Sequence, residues 1–281
     1  MLLGFGGITL LGACSSNGGS KPAAAGSTAP AADPRSRPTT GGAPFPGQSP
    51  SGGDASTAGG DSHTNTAAPP DNSQPPGSLG QDPPPAAGQP QFYVHEGDKA
   101  IALTIDDGPS SKYTPQVLAL LAQYKIAATF CMIGQSAAQH ASLVAEVSAA
   151  GHLVANHTWA HPDMGKMNAA DVAAQIDRAT DAITKGGAKQ PVLFRAPGGN
   201  WSPTVFAACA QRGLRPLDWS VDPRDWSRPG TDHIVQTVMG HTHTGSIILE
   251  HDGGGDRSQT VAALQRFIPQ LLEAGYHFVQ P

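Results

Sequence analysis

Basic residues gather nowhere in this chain. Lys and Arg total 17 against 22 Asp and Glu, they are scattered singly, and the formal net charge is −5. Without a basic stripe there is no electrostatic footprint for a phosphate backbone, which excludes a nucleic-acid partner. A basic face for an anionic membrane surface is missing for the same reason. Cysteine is equally scarce, with three residues, too few for a disulfide framework. Cys131 and Cys209 lie in apolar stretches and read as small buried hydrophobes rather than a bridged pair. No apolar run reaches the roughly 20 residues that span a bilayer. Large apolar side chains are nearly absent before Gln91, so the front of the chain has little with which to build a core.

What is present is unevenly spread. The 34 Gly and 26 Pro concentrate toward the front, where Ala, Gly, Pro, Ser and Thr dominate residues 15–90. Such a segment cannot bury enough surface to offset its ordering entropy, and it is expected to be a disordered tether. Ahead of it, residues 1–14 form a short apolar run similar to a secretory signal. Leu11-Gly12-Ala13-Cys14 resembles the lipobox of bacterial lipoproteins. That resemblance implies export and lipidation at Cys14, with the chain anchored on the outer side of the membrane or secreted. The lipid would then be the chain's one contact with a membrane. Residues 91–281 are long enough for one domain with a substantial core.

Behind Gln91 short apolar runs alternate with helical periodicity. Strands are expected at residues 100–105, 127–133, 152–156, 192–195, 214–221, 247–249 and 276–279. Helices are expected at 114–124, 136–149, 169–184, 203–212 and 261–274, the third carrying Asp171, Ile176, Ala179 and Ile183 on one face. Strand–helix alternation implies a parallel sheet. With about seven units it closes most simply into an α/β barrel, an open doubly wound sheet being the alternative. Either architecture places ligands at the carboxyl ends of the strands, and there the reactive residue types fall: Asp106, Asp107, His157, Arg195, Asp222 and His251.

Several segments suit hydrolytic chemistry. Thr104-Ile-Asp-Asp-Gly-Pro109 brings two carboxylates to a strand end, which is costly unless a cation or a base role keeps them. Neighbours on extended backbone point to opposite sides, so one could bind a metal while the other faces substrate. The same string is also good turn chemistry. In His157-Thr-Trp-Ala-His161-Pro162 the proline disfavours a helix, leaving a loop that presents both imidazoles. Two histidines and one carboxylate make a three-ligand site with a position open to water, the form of catalytic zinc. Phe194-Arg-Ala-Pro-Gly-Gly199 sets an arginine before a turn whose N–H groups could receive an oxyanion. Trp219-Ser-Val-Asp-Pro-Arg-Asp-Trp226 supplies further carboxylates, and Leu249-Glu-His-Asp252 ends a strand with an imidazole.

In order and spacing these segments resemble the NodB-homology polysaccharide deacetylases, carbohydrate esterase family 4. The resemblance runs from Lys99 to about Val279 and implies the distorted barrel of that family. It implies that Asp107, His157 and His161 bind a divalent metal, usually zinc, with cobalt or another ion as alternatives. Asp106 would be the catalytic base and His251 the catalytic acid. Arg195 would pair with Asp106, and Asp222 or, second to it, Asp225 would orient His251. Leu249 and Trp226 would line the acetyl pocket, and the N–H of Gly198 would meet the oxyanion. Gly198 departs from the family's usual aromatic residue, which bears on substrate fit. The implied activity is N-deacetylation of GlcNAc-type units in an acetylated polysaccharide, by a monomer. An O-acetyl esterase and a catalytically inactive glycan-binding lipoprotein are the other readings.

Overall fold

The computed structural model describes residues 88–281; the tether, the apolar leader and Cys14 lie outside the described residues. The strands are β1 (Ala100–Asp106), β2 (Thr129–Met132), β3 (Leu153–Asn156), β4 (Leu193–Phe194), β5 (Arg215–Pro216), β6 (Ile247–His251) and β7 (His277–Val279). All pair in parallel, in the order β5-β4-β3-β2-β1-β6, with β7 against the first half of β1. The helices are α1 (Thr114–Tyr124), α2 (Gly134–Gln139), α3 (Ala141–Ala149), α4 (Ala169–Lys185), α5 (Pro203–Gln211), α6 (Thr231–His241) and α7 (Ser258–Glu273). The result is a distorted (β/α) barrel. None of these helices is long and apolar enough to cross a membrane.

Strand alternation sorts the core into layers. On β1, Ile101, Leu103 and Ile105 face the helices and pack with Val117, Leu121, Val238, Leu264 and Phe267. Ala102 belongs to the barrel interior with Cys131, Ala155, Ile247 and Leu249. Thr104 and Asp106 continue that inward series by the same alternation. β1 therefore reads as an almost unbroken apolar run because helices cover its outer face.

The departures from the sequence expectation have local causes. The helix expected at residues 136–149 breaks at His140, whose N–H closes α2 on Ser136 while its carbonyl starts α3 by accepting from Leu143 and Val144. On α4 the inward face contains Val172, with Ile176, Ala179 and Ile183, whereas Asp171 is exposed and its N–H is capped by the Asn168 side chain. The strand expected at 214–221 pairs regularly only over Arg215–Pro216. Beyond it Leu217 donates to Phe194, Asp218 donates to Gln91, and Ser220 and Val221 both donate to Ile247. That segment crosses from β4 to β6 and closes the barrel through a single bridge, Val221 to Ile248. Helix α6 was not anticipated, although Ile234 and Val238 stand one turn apart on its buried side.

Phe267 on α7 is fully buried against the sheet. Phe267→Ala is expected to cost about 3–5 kcal/mol. Urea denaturation should show a lower midpoint with an unchanged slope.

Candidate active site

The regular ladder between β1 and β6 sets the first pair. Asp106 stands in register with His251, and in-register residues of parallel strands share a face, so a carboxylate and an imidazole meet at the barrel mouth. Arg195, from the end of β4, lies fully buried beneath them. Its Nη1 donates to Asp106 Oδ1 at 2.7 Å and to Thr104 Oγ1 at 2.8 Å, and its Nη2 donates to the Asp218 carbonyl at 2.8 Å. Burial alone would raise Asp106, but Arg195, His157 and His251 outweigh it and hold the carboxyl below its ordinary range. With Oδ1 tied to the guanidinium, Oδ2 is the oxygen left for chemistry.

Asp107 leaves the strand. Its φ is +73, a left-handed conformation that costs a non-glycine residue roughly 1–2 kcal/mol. Asp106 and Asp107 therefore do not face opposite sides, as extended backbone would require. Both reach His157, at 3.7 Å from Asp106 Oδ2 and 3.6 Å from Asp107 Oδ1. Gly253 permits this turn, since a Cβ there would lie 2.0 Å from the Asp107 carbonyl oxygen. Thr158 (φ +66) and His161 (φ +57) are also left-handed. Their loop is pinned from α4, where the Gln175 side chain accepts from the N–H groups of Trp159 and Ala160 at 3.0 and 2.9 Å. Strain of this kind persists where neighbouring contacts over-determine it.

Asp107, His157 and His161 each offer one ligand atom, all within 4.8 Å of one another. Asp107 Oδ1 is buried with no hydrogen-bond partner, and the Nε2 of His161 lies 3.4 Å from it. That is long for a hydrogen bond but close to the separation of two ligands on a tetrahedral ion with bonds of about 2.0–2.1 Å. The Nδ1 of His157 lies 2.9 Å from the Arg195 carbonyl, which can only accept. The proton therefore sits on Nδ1 and the lone pair on Nε2, as a ligating histidine needs. Burial holds His157 below the usual imidazole range against the pull of Asp106 and Asp107. The cluster fits a divalent cation.

On the other side His251 bonds to Asp225, not Asp222. Its Nδ1 lies 2.7 Å from Asp225 Oδ1, and its backbone N–H donates to Oδ2 at 2.9 Å. Thr260 also donates to Oδ2 at 2.7 Å. Asp222 instead accepts from the N–H of Arg224 at 2.7 Å, closing a local turn. The reason is backbone: Arg224 is left-handed and starts the 3₁₀ turn Asp225–Ser227, which directs Asp225 toward β6. Burial would lower His251, but Asp225, helped by Asp106 and Asp107, raises it to about 9.

The remaining residues from the motifs are dispersed around this centre. Leu249 is buried in the barrel interior. Trp226 is 46% exposed, under the Arg224 guanidinium at 5.1 Å. Gly198 is exposed in the 3₁₀ turn Pro197–Gly199 with φ +62. Cys131 and Cys209 are free and buried. A cleft of about 650 Å³ is lined by Phe206, Cys209, Leu214 and Arg215, and by none of Leu249, Trp226 and Gly198. Sequence reasoning overlooked Thr104, Gln175, Thr260 and three buried acids, Asp218, Glu250 and Asp252. Burial pushes Asp218 and Asp252 up to about 7 each. A charged residue inside the apolar run Ile247-Ile-Leu-Glu was the available signal for Glu250.

A buried, arginine-held carboxylate stands opposite an aspartate-held imidazole at the mouth of a parallel barrel, with a cluster that could hold a cation beside them, an arrangement suited to acid–base hydrolysis. Residues 94–217 match the family profile described as polysaccharide deacetylase. A peptidoglycan-N-acetylglucosamine deacetylase of Bacillus cereus is 44% identical over 191 residues, covering 67% of this chain and 89% of the relative. A chitooligosaccharide deacetylase of Sinorhizobium fredii is also 44% identical, over 64% of this chain and 89% of the relative. Among solved structures, a carbohydrate esterase family 4 pseudoenzyme of Bacillus anthracis superposes with a TM-score of 0.65 at 27% identity, covering 69% of this chain and 68% of that one. The chain belongs to the polysaccharide deacetylase family.

In Asp225→Asn the charge that raises His251 is gone while the burial that lowers it remains. The His251 midpoint, read by NMR titration of the ring, should fall from about 9 toward its ordinary range, with Asp106 and Asp107 still raising it. A folded-state value above the unfolded one stabilises the fold fully below pH 6.5 and is lost as pH rises through about 9. The wild-type chain should therefore lose thermal stability across that window, and the variant should lose less.

Proposed function

We propose that this chain removes N-acetyl groups from GlcNAc-type units of a cell-wall or extracellular glycan, releasing acetate, with a divalent cation held by Asp107, His157 and His161. The observation that carries the reading is the in-register pairing of Asp106 with His251 next to that cluster. The fold by itself does not carry it, because a pseudoenzyme shares the fold. A donor set of two imidazoles and one carboxylate favours zinc. When bound, the cation would act as a Lewis acid on water and on the acetyl carbonyl.

The chain's own groups supply the rest. Asp106 Oδ2 takes a proton from the attacking water while Arg195 keeps the carboxylate charged and fixed. By the family resemblance, the N–H of Gly198 would donate to the carbonyl oxygen as charge develops on it. As the C–N bond breaks, the His251 Nε2 proton passes to the departing nitrogen, which leaves as an amine rather than an unstable amide anion. Asp225 keeps His251 protonated until that moment. The names of the relatives favour peptidoglycan or chitin-like polymers as substrate. The Leu-Gly-Ala-Cys14 string supports an exported chain acting outside the cell.

Acetate and free amine should appear together when the chain is given chitooligosaccharides or N-acetylated peptidoglycan, disappear with EDTA and return with zinc. Cleavage of acetate esters alone would instead make the chain an O-esterase. Asp106→Asn should keep the bound metal yet lose about 10²- to 10⁴-fold in kcat. His157→Ala should lose both metal, by elemental analysis, and activity.

A further inference from the structure

Arg257, at the start of α7, is a second buried cation near the barrel mouth, and the acid–base pair does not use it. It is 4% exposed, and among the described residues it forms no ion pair. Its donors go instead to neutral carbonyls on two different loops. Nε donates to Gly253, in the loop after β6, at 2.6 Å, and Nη1 donates to Trp226, in the 3₁₀ turn, at 3.1 Å. A guanidinium taken out of water without a carboxylate is costly. As the N-cap of a 16-residue helix it also faces the positive end of the helix dipole. What offsets these costs lies in what the guanidinium joins.

Each of the two loops touches one side of the site. Gly253 lies on the Asp107 turn, where a Cβ added to it would stand 2.3 Å from the Asp107 carbonyl carbon and 2.8 Å from the Gly108 nitrogen. Backbone is packed directly on backbone there, so a shift of the Gly253 loop displaces the turn that carries Asp107. Trp226 follows Asp225, whose carboxylate holds the His251 ring, so a shift of its carbonyl is felt at the imidazole. The remaining amino group, Nη2, has no hydrogen bond among the described residues and faces the same cluster. A Cβ on Gly254 would lie 2.7 Å from Asp107 Oδ2 and 3.2 Å from Nη2, so the two atoms flank one point.

We propose that Arg257 is a positioning residue that ties the turn carrying Asp107 to the turn carrying Asp225 and Trp226, so that both sides of the site keep their places as one unit. The planar fork makes the tie: N–H groups fixed in different directions reach two loops at once, which a single ammonium does not. Its meaning for catalysis rests on the deacetylase reading, in which Asp107 holds a cation and Trp226 lines the acetyl pocket. The tie itself does not depend on that reading.

Amide hydrogen exchange in the full-length chain tests it, for wild type, Arg257→Gln, Arg257→Lys and Phe267→Ala. One reporter is the pair of Ser227 and Arg228 N–H groups, which close the 3₁₀ turn on Arg224 and Asp225. The other is the Ile133 N–H, which donates to the Gly108 carbonyl at 3.0 Å. In Arg257→Gln both reporters should exchange faster together, by roughly tenfold or more, the scale of a lost hydrogen bond from a charged donor. Lysine should restore one reporter at most. Phe267→Ala loosens the core elsewhere and controls for general loss of stability. Faster exchange at residues 253–255 alone, with both reporters unmoved, would make Arg257 a local brace and overturn the proposal, as would full restoration by lysine. Zinc affinity, read by competition with a chromophoric chelator, should weaken about tenfold in Arg257→Gln and hold in Phe267→Ala. An unchanged zinc affinity in Arg257→Gln would show the cluster to be independent of the tie and overturn it too. If the glutamine variant does not fold, the lysine variant carries both measurements, and wild-type values in it overturn the proposal. A wild-type chain that binds no zinc and releases no acetate would remove the functional reading, while the exchange data would still decide the tie.

Discussion

The buried guanidinium of Arg195 is the interaction around which the site is arranged. A charge taken out of water costs several kcal/mol unless its donors are met. Arg195 meets that cost with Asp106, Thr104 and the Asp218 carbonyl. In doing so it ties β4 to β1 and to the crossing segment that closes the barrel. Its own carbonyl fixes the tautomer of His157. One residue thus holds the Asp106 carboxylate and orients His157. Its Nε remains without a partner, so the compensation is incomplete and rests on few contacts.

Around that charge the mouth of the barrel separates carboxyls by environment. Asp106 and Asp225 are surrounded by donors and stay ionised below their ordinary range, despite burial. Asp218 and Asp252 are as deeply buried but have one neutral donor each, Trp201 and Thr114, and Glu250 has none, so burial raises their proton affinities. The same residue type therefore differs in proton affinity with its surroundings at one end of the barrel.

The sequence made some of this legible and hid the rest for identifiable reasons. β1 and α1 were readable because an apolar run and an amphipathic period are local signals. The reactive residues were readable because they sit at strand ends in a parallel α/β order, a position that topology alone marks as the ligand side. Three things were not local. The partner of His251 depended on a left-handed Arg224 that turns Asp225 rather than Asp222 toward β6. The segment after β5 scored as a strand on composition, yet its hydrogen bonds go to Gln91 and to β6. The facing of Asp106 and Asp107 depended on a positive φ that an Asp-Asp string does not announce.

The two halves of the site are carried by backbone of different stiffness. Asp106 and His251 project from a continuous ladder of parallel strands, so their separation is set by the spacing of the sheet and changes only if the barrel does. Asp107 and His161 hang from left-handed residues in loops, braced by the bare backbone of Gly253 and the amide of Gln175. Heat or a distant loop substitution will therefore slacken the Asp107–His161 half first, while the Asp106–His251 half keeps its geometry. The Asp107–His161 half can in consequence be remodelled through a few loop changes without rebuilding the ladder that sets Asp106 against His251.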